Sequence, residues 1–141
     1  ELGLTSYSCA DLFSQTLLLA AARAALEKVA DASGLYDIAA VVGLPLQVLG
    51  RLFNCVALVA EGQIVGIIPK TFLPSTNEFY ESRWFTSGTR GLPPTLRFPG
   101  REVPFGAALL LRDVAGIDVT EFVAEQGREF RFVVQFAMMR A

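Results

Sequence analysis

The sequence predicts a mixed helix-and-sheet protein, either α+β or a layered α/β architecture. Three observations predict it. An Ala- and Leu-rich stretch, Leu12 to Val29, carries apolar residues near helical spacing. An uninterrupted apolar run, IAAVVG, follows from Ile38 to Gly43. Two more apolar runs, FNCVALVA and QIVGII, flank Glu61-Gly62 as two strands flank a hairpin turn.

In the first stretch, Leu17, Ala21, Ala24, Ala25 and Val29 recur on one helical face, and Ala and Leu have high helix propensity. Asp11 is the expected N-cap region and Gly34 the expected stop. The run Ile38 to Gly43 lacks polar alternation, so it is expected to be a strand buried on both faces. Pro45 and Gly50 are expected to frame the connection after it. Phe53 to Ala60 and Gln63 to Ile68 are the expected hairpin strands. Pro69 has no N–H to donate to a ladder, so the second strand should end there, and Lys70 falls just past its carboxyl end. Thr86 to Gly100 is rich in Gly, Pro, Ser and Thr and reads as loop. A hairpin turning near Gly100, an apolar strand GAALLL and a last strand FRFVVQF, Phe130 to Phe136, complete the expected elements.

Composition narrows the function classes. The chain has 141 residues, an apolar fraction of 52% and a mean hydropathy of +0.45, enough to bury a sizeable core. A net charge of −2 gives no electrostatic reason to expect nucleic acid or an anionic membrane. The apolar run Thr16 to Ala25 is interrupted by Arg23 and too short to span a bilayer. With no histidine, triads of the Ser-His-Asp and Cys-His kinds are excluded within these residues, as are most zinc sites. The chain begins at Glu1 without a preceding signal peptide, and a fragment is the expectation.

Chemistry concentrates in PKTFLPSTNEFYESRWF, Pro69 to Phe85, where ionisable groups sit among aromatics in an otherwise apolar chain. A lysine at a strand end can offer a fixed positive charge to a developing oxyanion, although lysines are mostly solvated. Glu81 can orient Lys70, or it can pair with Arg83 at the surface. Glu1 can serve as a general base or be a terminal surface acid. Cys55 lies inside an apolar strand and reads as a small core residue. Cys9 precedes a helix but has no evident base beside it. Asn54 is expected to bond backbone at a strand start, and Tyr80, Trp84 and Phe85 to pack in the core.

Taken jointly, ELGLTSYS, VVGLPL, GRLFNCVALVAEGQIVGIIPKTFLP and EFYESRWF resemble, in order and approximate spacing, the carbon–nitrogen hydrolase (nitrilase) superfamily, and within it the glutaminase domain of glutamine-dependent NAD synthetase. The resemblance covers residues 1–119 as a partial nitrilase-like domain and leaves residues 120–141 as an unmatched, diverged or frameshifted tail. It implies an α-β-β-α sandwich. It implies that Glu1 is the general base, Lys70 the oxyanion lysine and Glu81 the supporting glutamate. It places Thr76 where the family's glutamine pocket has a tyrosine, a weak substrate contact at best. The family's nucleophilic cysteine falls in a region that here reads TEFVAEQGREFRFVVQF, Thr120 to Phe136, without cysteine, so this chain is expected to lack the nucleophile. The resemblance further implies glutamine as substrate, a cytoplasmic location, a homo-oligomeric parent and no cofactor in these residues. ATP and magnesium would belong to a separate synthetase domain that amidates nicotinic acid adenine dinucleotide to NAD. Two other readings stay open, a free-standing amidase on another small amide and a non-catalytic assembly fragment.

Overall fold

The structure is a computed structural model that describes residues 2–76, 79–109, 111–112 and 118–120. Its fold is layered α/β. The sheet contains β1 (Ala40–Val48), β2 (Arg51–Ala60) and β3 (Gln63–Pro69), antiparallel in the order β1-β2-β3. Both turns are tight because their residues adopt the left-handed conformation: Leu49 and Gly50 at φ 50° and 75°, Glu61 and Gly62 at φ 52° and 76°. Such turns match the twist of the strands they join.

The sheet has two different faces. Leu44, Leu46, Phe53, Cys55, Ala57, Val59 and Ile67 lie on one face and are buried with Leu26 and Ala30 of the long helix α1 (Thr16–Leu35). The hairpin β4 (Thr95–Phe98) and β5 (Arg101–Pro104) adds Leu96, Phe98 and Val103 to that core. A parallel bridge between Ile67 and Phe105 ties it to β3. On the opposite face, Leu52 packs beside a second cluster of Leu2, Phe13 and Phe85. A short pairing of β6 (Leu111–Arg112) with β7 (Asp118–Thr120) is the last described element. No helix of the described residues is long and apolar enough to cross a membrane.

Several expectations need correction. α1 begins at Thr16, capped by the backbone of Gln15, and the expected first turn is instead an irregular 3-10 stretch, Tyr7–Ser14. Gln15, extended at φ −81° and ψ 120°, separates that stretch from the helix, so the helix does not start at Leu12. Gly34 does not stop the helix, which runs to Leu35. It allows contact, because a Cβ there would stand 2.9 Å from the backbone nitrogen of Gly62. Buried Ser33 completes the joint, its hydroxyl accepting from Gly62 N at 3.1 Å and donating to Ala30 O at 2.6 Å. β1 starts at Ala40 and is only half-buried over its first four residues, so it is not buried on both faces there. Pro45 lies inside it, opposite Asn54, and is tolerated because β1 is the sheet's edge. Thr95 to Phe98 form a strand within the expected loop, turning at Gly100, φ 70°. Gly106 to Leu109 form a turn and coil where the strand GAALLL was expected. The expected strand Phe130 to Phe136 lies outside the described residues.

Candidate functional site

β3 ends at Pro69, and Lys70 emerges beside β2 with its amide donating to Asn54 O at 2.8 Å. The register of that meeting depends on a β-bulge at Leu58/Val59. From the turn, Ala60 pairs with Gln63 and Val59 with Ile64, but Leu58 pairs with Gly66, leaving Val65 as the extra residue. Without the bulge Lys70 would stand opposite Phe53, on the α1 face. With it, Lys70 shares the face of Asn54, because a one-residue slip exchanges the faces of a strand. The carbonyl of Lys70 accepts from Gly88 N at 3.0 Å. Gly88 is required there, since a Cβ would lie 2.9 Å from Pro69 O.

Glu81 opens the short helix α2 (Glu81–Trp84) and is buried. Its backbone is fixed by Glu81 N donating to Pro74 O at 3.1 Å and by Phe85 N donating to Glu81 O at 2.8 Å. Phe85 anchors the segment in the cluster with Leu2 and Phe13, its ring centroid 5.0 Å from that of Phe13. The Glu81 carboxylate thus faces the sheet. Lys70 Nζ donates to Glu81 Oε1 at 2.6 Å, with the two side chains 10% and 1% exposed. Tyr7 Oη donates to the same oxygen at 3.2 Å, and Asn54 Nδ2 donates to Oε2 at 3.2 Å. Donors from β2, the β3 end and the 3-10 stretch therefore converge on one acceptor-only carboxylate, which satisfies its buried charge.

Of the residues singled out in the sequence, Lys70 and Glu81 are brought together. Glu1 lies outside the described residues. Thr76 is exposed on the turn before α2, and its carbonyl accepts from Phe79 N at 3.2 Å. Arg83 does not pair with Glu81. It approaches Asp11 at 3.4 Å on the surface, where Trp84 Nε1 also donates to Asp11. Phe85 is buried as expected, whereas Tyr80 is 59% exposed and does not belong to the core. Asn54 bonds a side chain and not backbone with its amide, contrary to the expectation. Cys55, its neighbour on β2, points to the α1 face. There its thiol is buried, and loss of solvation pushes its pKa up. Cys9 Sγ donates to Thr5 O at 3.1 Å. Among the described residues, no group of three or more Asp, Glu, Cys or His side chains is placed to hold a metal ion.

Tyr7 is the residue that sequence reasoning missed, and Asn54 the one whose partner it misjudged. A signal for Asn54 exists: it is an amide inside an apolar strand, and a buried amide needs a partner. Tyr7 carries no comparable signal.

No family model matches the chain. Curated relatives do. The chain is 37% identical over 124 residues to a glutamine-dependent NAD(+) synthetase of Mycobacterium tuberculosis, a match covering 87% of the chain and 18% of the relative. It is 32% identical over 105 residues to one of Aquifex aeolicus, covering 74% of the chain and 18% of the relative. The crystal structure of a glutamine-dependent NAD(+) synthetase from Cytophaga hutchinsonii superimposes with a TM-score of 0.67 at 34% identity, over 72% of the chain and 17% of that structure. The chain spans under a fifth of the length of the relatives it matches. By sequence and fold together, the chain is a homologue of one segment of the glutamine-dependent NAD(+) synthetases.

Proposed function

We propose that Lys70 and Glu81 form the lysine half of an amidase site of the carbon–nitrogen hydrolase kind. The observation that carries the reading is a nearly buried ammonium at a strand's carboxyl end, held at 2.6 Å by a carboxylate that is itself fully buried. A surface lysine has no need of such a support. A fixed ammonium in a protected position stabilises negative charge that develops on a carboxamide oxygen during nucleophilic attack. Glu81 holds the ammonium in place without touching the reacting atoms. Glu1 is proposed as the general base, and Thr76 as no more than a marginal contact to the substrate.

The relatives' names support glutamine as the amide and NAD synthesis as the use of the released ammonia. In this reading residues 1–119 belong to the glutaminase part and residues 120–141 depart from it. ATP, magnesium and the synthetase reaction belong to a partner domain, and the parent protein is a cytoplasmic homo-oligomer. The 141 residues do not themselves provide the nucleophile. Cys55 faces away from Lys70 with its thiol form favoured, and Cys9 is hydrogen-bonded to Thr5 in the 3-10 stretch.

Ammonia release from glutamine by the purified chain tests this reading. No turnover above buffer is expected. Turnover that disappears in Lys70→Ala would support the role of Lys70 but overturn the statement that these residues provide no nucleophile; turnover that Lys70→Ala leaves unchanged would overturn the assignment of Lys70.

A further inference from the structure

Asn54 is a buried polar side chain to which the reading of the site gives no task. It follows Phe53 in an apolar strand and is 4% exposed. A buried amide costs stability unless its hydrogen bonds are made. Its donor goes to Glu81 Oε2 at 3.2 Å, while Lys70 and Tyr7 both donate to Oε1. The terminal torsion of a glutamate is soft and close to two-fold, so a carboxylate held at one oxygen can rotate about its last bond. A donor on the second oxygen removes that freedom. Lys70 has a long, flexible stem, and an acceptor fixed in orientation helps to hold its ammonium in one place. Asn54 also lies beside Lys70 across the β2–β3 ladder, through Lys70 N to Asn54 O at 2.8 Å. One residue therefore fixes the root of the lysine through its backbone and the acceptor of its tip through its side chain.

We propose that Asn54 is a positioning residue for the Lys70 ammonium: its side-chain amide locks the orientation of the Glu81 carboxylate, and that orientation sets where the charge of Lys70 stands. The inference rests on the reading of Lys70 as the oxyanion-binding group, but its test does not depend on turnover.

The chain has two lysines, Lys28 and Lys70, and Lys28 is exposed on α1. Reductive methylation with carbon-13 formaldehyde, followed by NMR, therefore reads Lys70 against an internal reference. In the unsubstituted protein Lys70 should label far more slowly than Lys28. Glu81→Gln should abolish that protection and calibrates loss of the pair. Asn54→Asp, the same shape with an acceptor in place of the donor, should speed Lys70 labelling at least about tenfold, as for loss of a hydrogen bond to a charged group. Asn54→Ser serves if the aspartate variant fails to fold. Leu26→Ala, in the core on the other face, controls for general destabilisation and should leave Lys70 slow. The inference is overturned if the Asn54 variants keep Lys70 as protected as before while Glu81→Gln exposes it. It is also overturned if Leu26→Ala speeds Lys70 as much as they do. Fast labelling of Lys70 in the unsubstituted protein would instead remove the buried pair and with it the amidase reading.

Discussion

Removing the Glu81 carboxylate should be among the most damaging single changes on this side of the sheet. Glu81 is fully buried, and its two oxygens receive the Lys70 ammonium, the Tyr7 hydroxyl and the Asn54 amide. Glu81→Ala leaves the ammonium without this counter-charge in a position 10% exposed, and takes an acceptor from two further donors. Breaking a buried pair from one side costs about 3–5 kcal/mol, because the remaining charge stays desolvated. For a chain of this size that corresponds to a fall in Tm on the order of 10–20 °C. Glu102→Ala is the contrast. Glu102 meets Arg97 at 3.9 Å with both side chains mostly exposed, and such pairs contribute about 0–1 kcal/mol. Urea unfolding followed by circular dichroism measures both variants. The reasoning fails if Glu81→Ala loses less than about 1 kcal/mol, or no more than Glu102→Ala, since the burial of the pair would then carry no energetic weight.

Four other outcomes are expected. Gly34→Ala should lower Tm even though alanine favours a helix by about 1 kcal/mol, because the new methyl group would meet Gly62 N at 2.9 Å; a rise would show that α1 can move off the β2–β3 turn. Glu61→Asn should add about 0.5 kcal/mol, because asparagine suits the left-handed first position of the turn, φ 52°, and Gly62 already occupies the second; an unchanged urea midpoint would count against that turn type. A thiol reagent at neutral pH should modify half-buried Cys9 promptly and buried Cys55 only on opening of the fold. Because burial raises the pKa of Cys55, the unfolded chain ionises first, so stability should fall as pH rises past the ordinary thiol value; Cys55→Ala should flatten that alkaline slope.

The readable parts of this fold were those with local causes. Glu61-Gly62 between apolar runs announced its hairpin, and Pro69 announced the end of β3. The first hairpin was hidden because leucine rarely takes a left-handed conformation, yet Leu49 does so here at φ 50°. Pro45 misled for a related reason: proline stops a central strand but is tolerated at an edge, and sequence does not say which strand is at the edge. Lys70 and Glu81 were legible as a possible pair, Glu81 being a carboxylate able to orient Lys70, but the register that lets them meet was not. A simple count back from the Glu61-Gly62 turn places Lys70 opposite Phe53 and buries it with the core. The bulge at Val65 reverses this, and the one hint of it in QIVGII is Gly66, since a glycine inside a strand often marks a bulge. The partner of Asn54, and Tyr7 altogether, were missed because the carboxylate they bond is 27 and 74 residues away.

The central claim is that Lys70, steadied by Glu81, is the charge that an amidase site uses. It is tested most directly by grafting residues 2–109 in place of the matching segment of the Mycobacterium tuberculosis synthetase and measuring ammonia release from glutamine with and without Lys70→Ala. The account predicts that the graft releases ammonia and that Lys70→Ala lowers kcat by about 10²–10³-fold, the scale of losing one oxyanion-stabilising group, with the fold intact. An active graft in which Lys70→Ala stays within about threefold of its parent would contradict the account, because a charge that stabilises the transition state cannot be removed so cheaply.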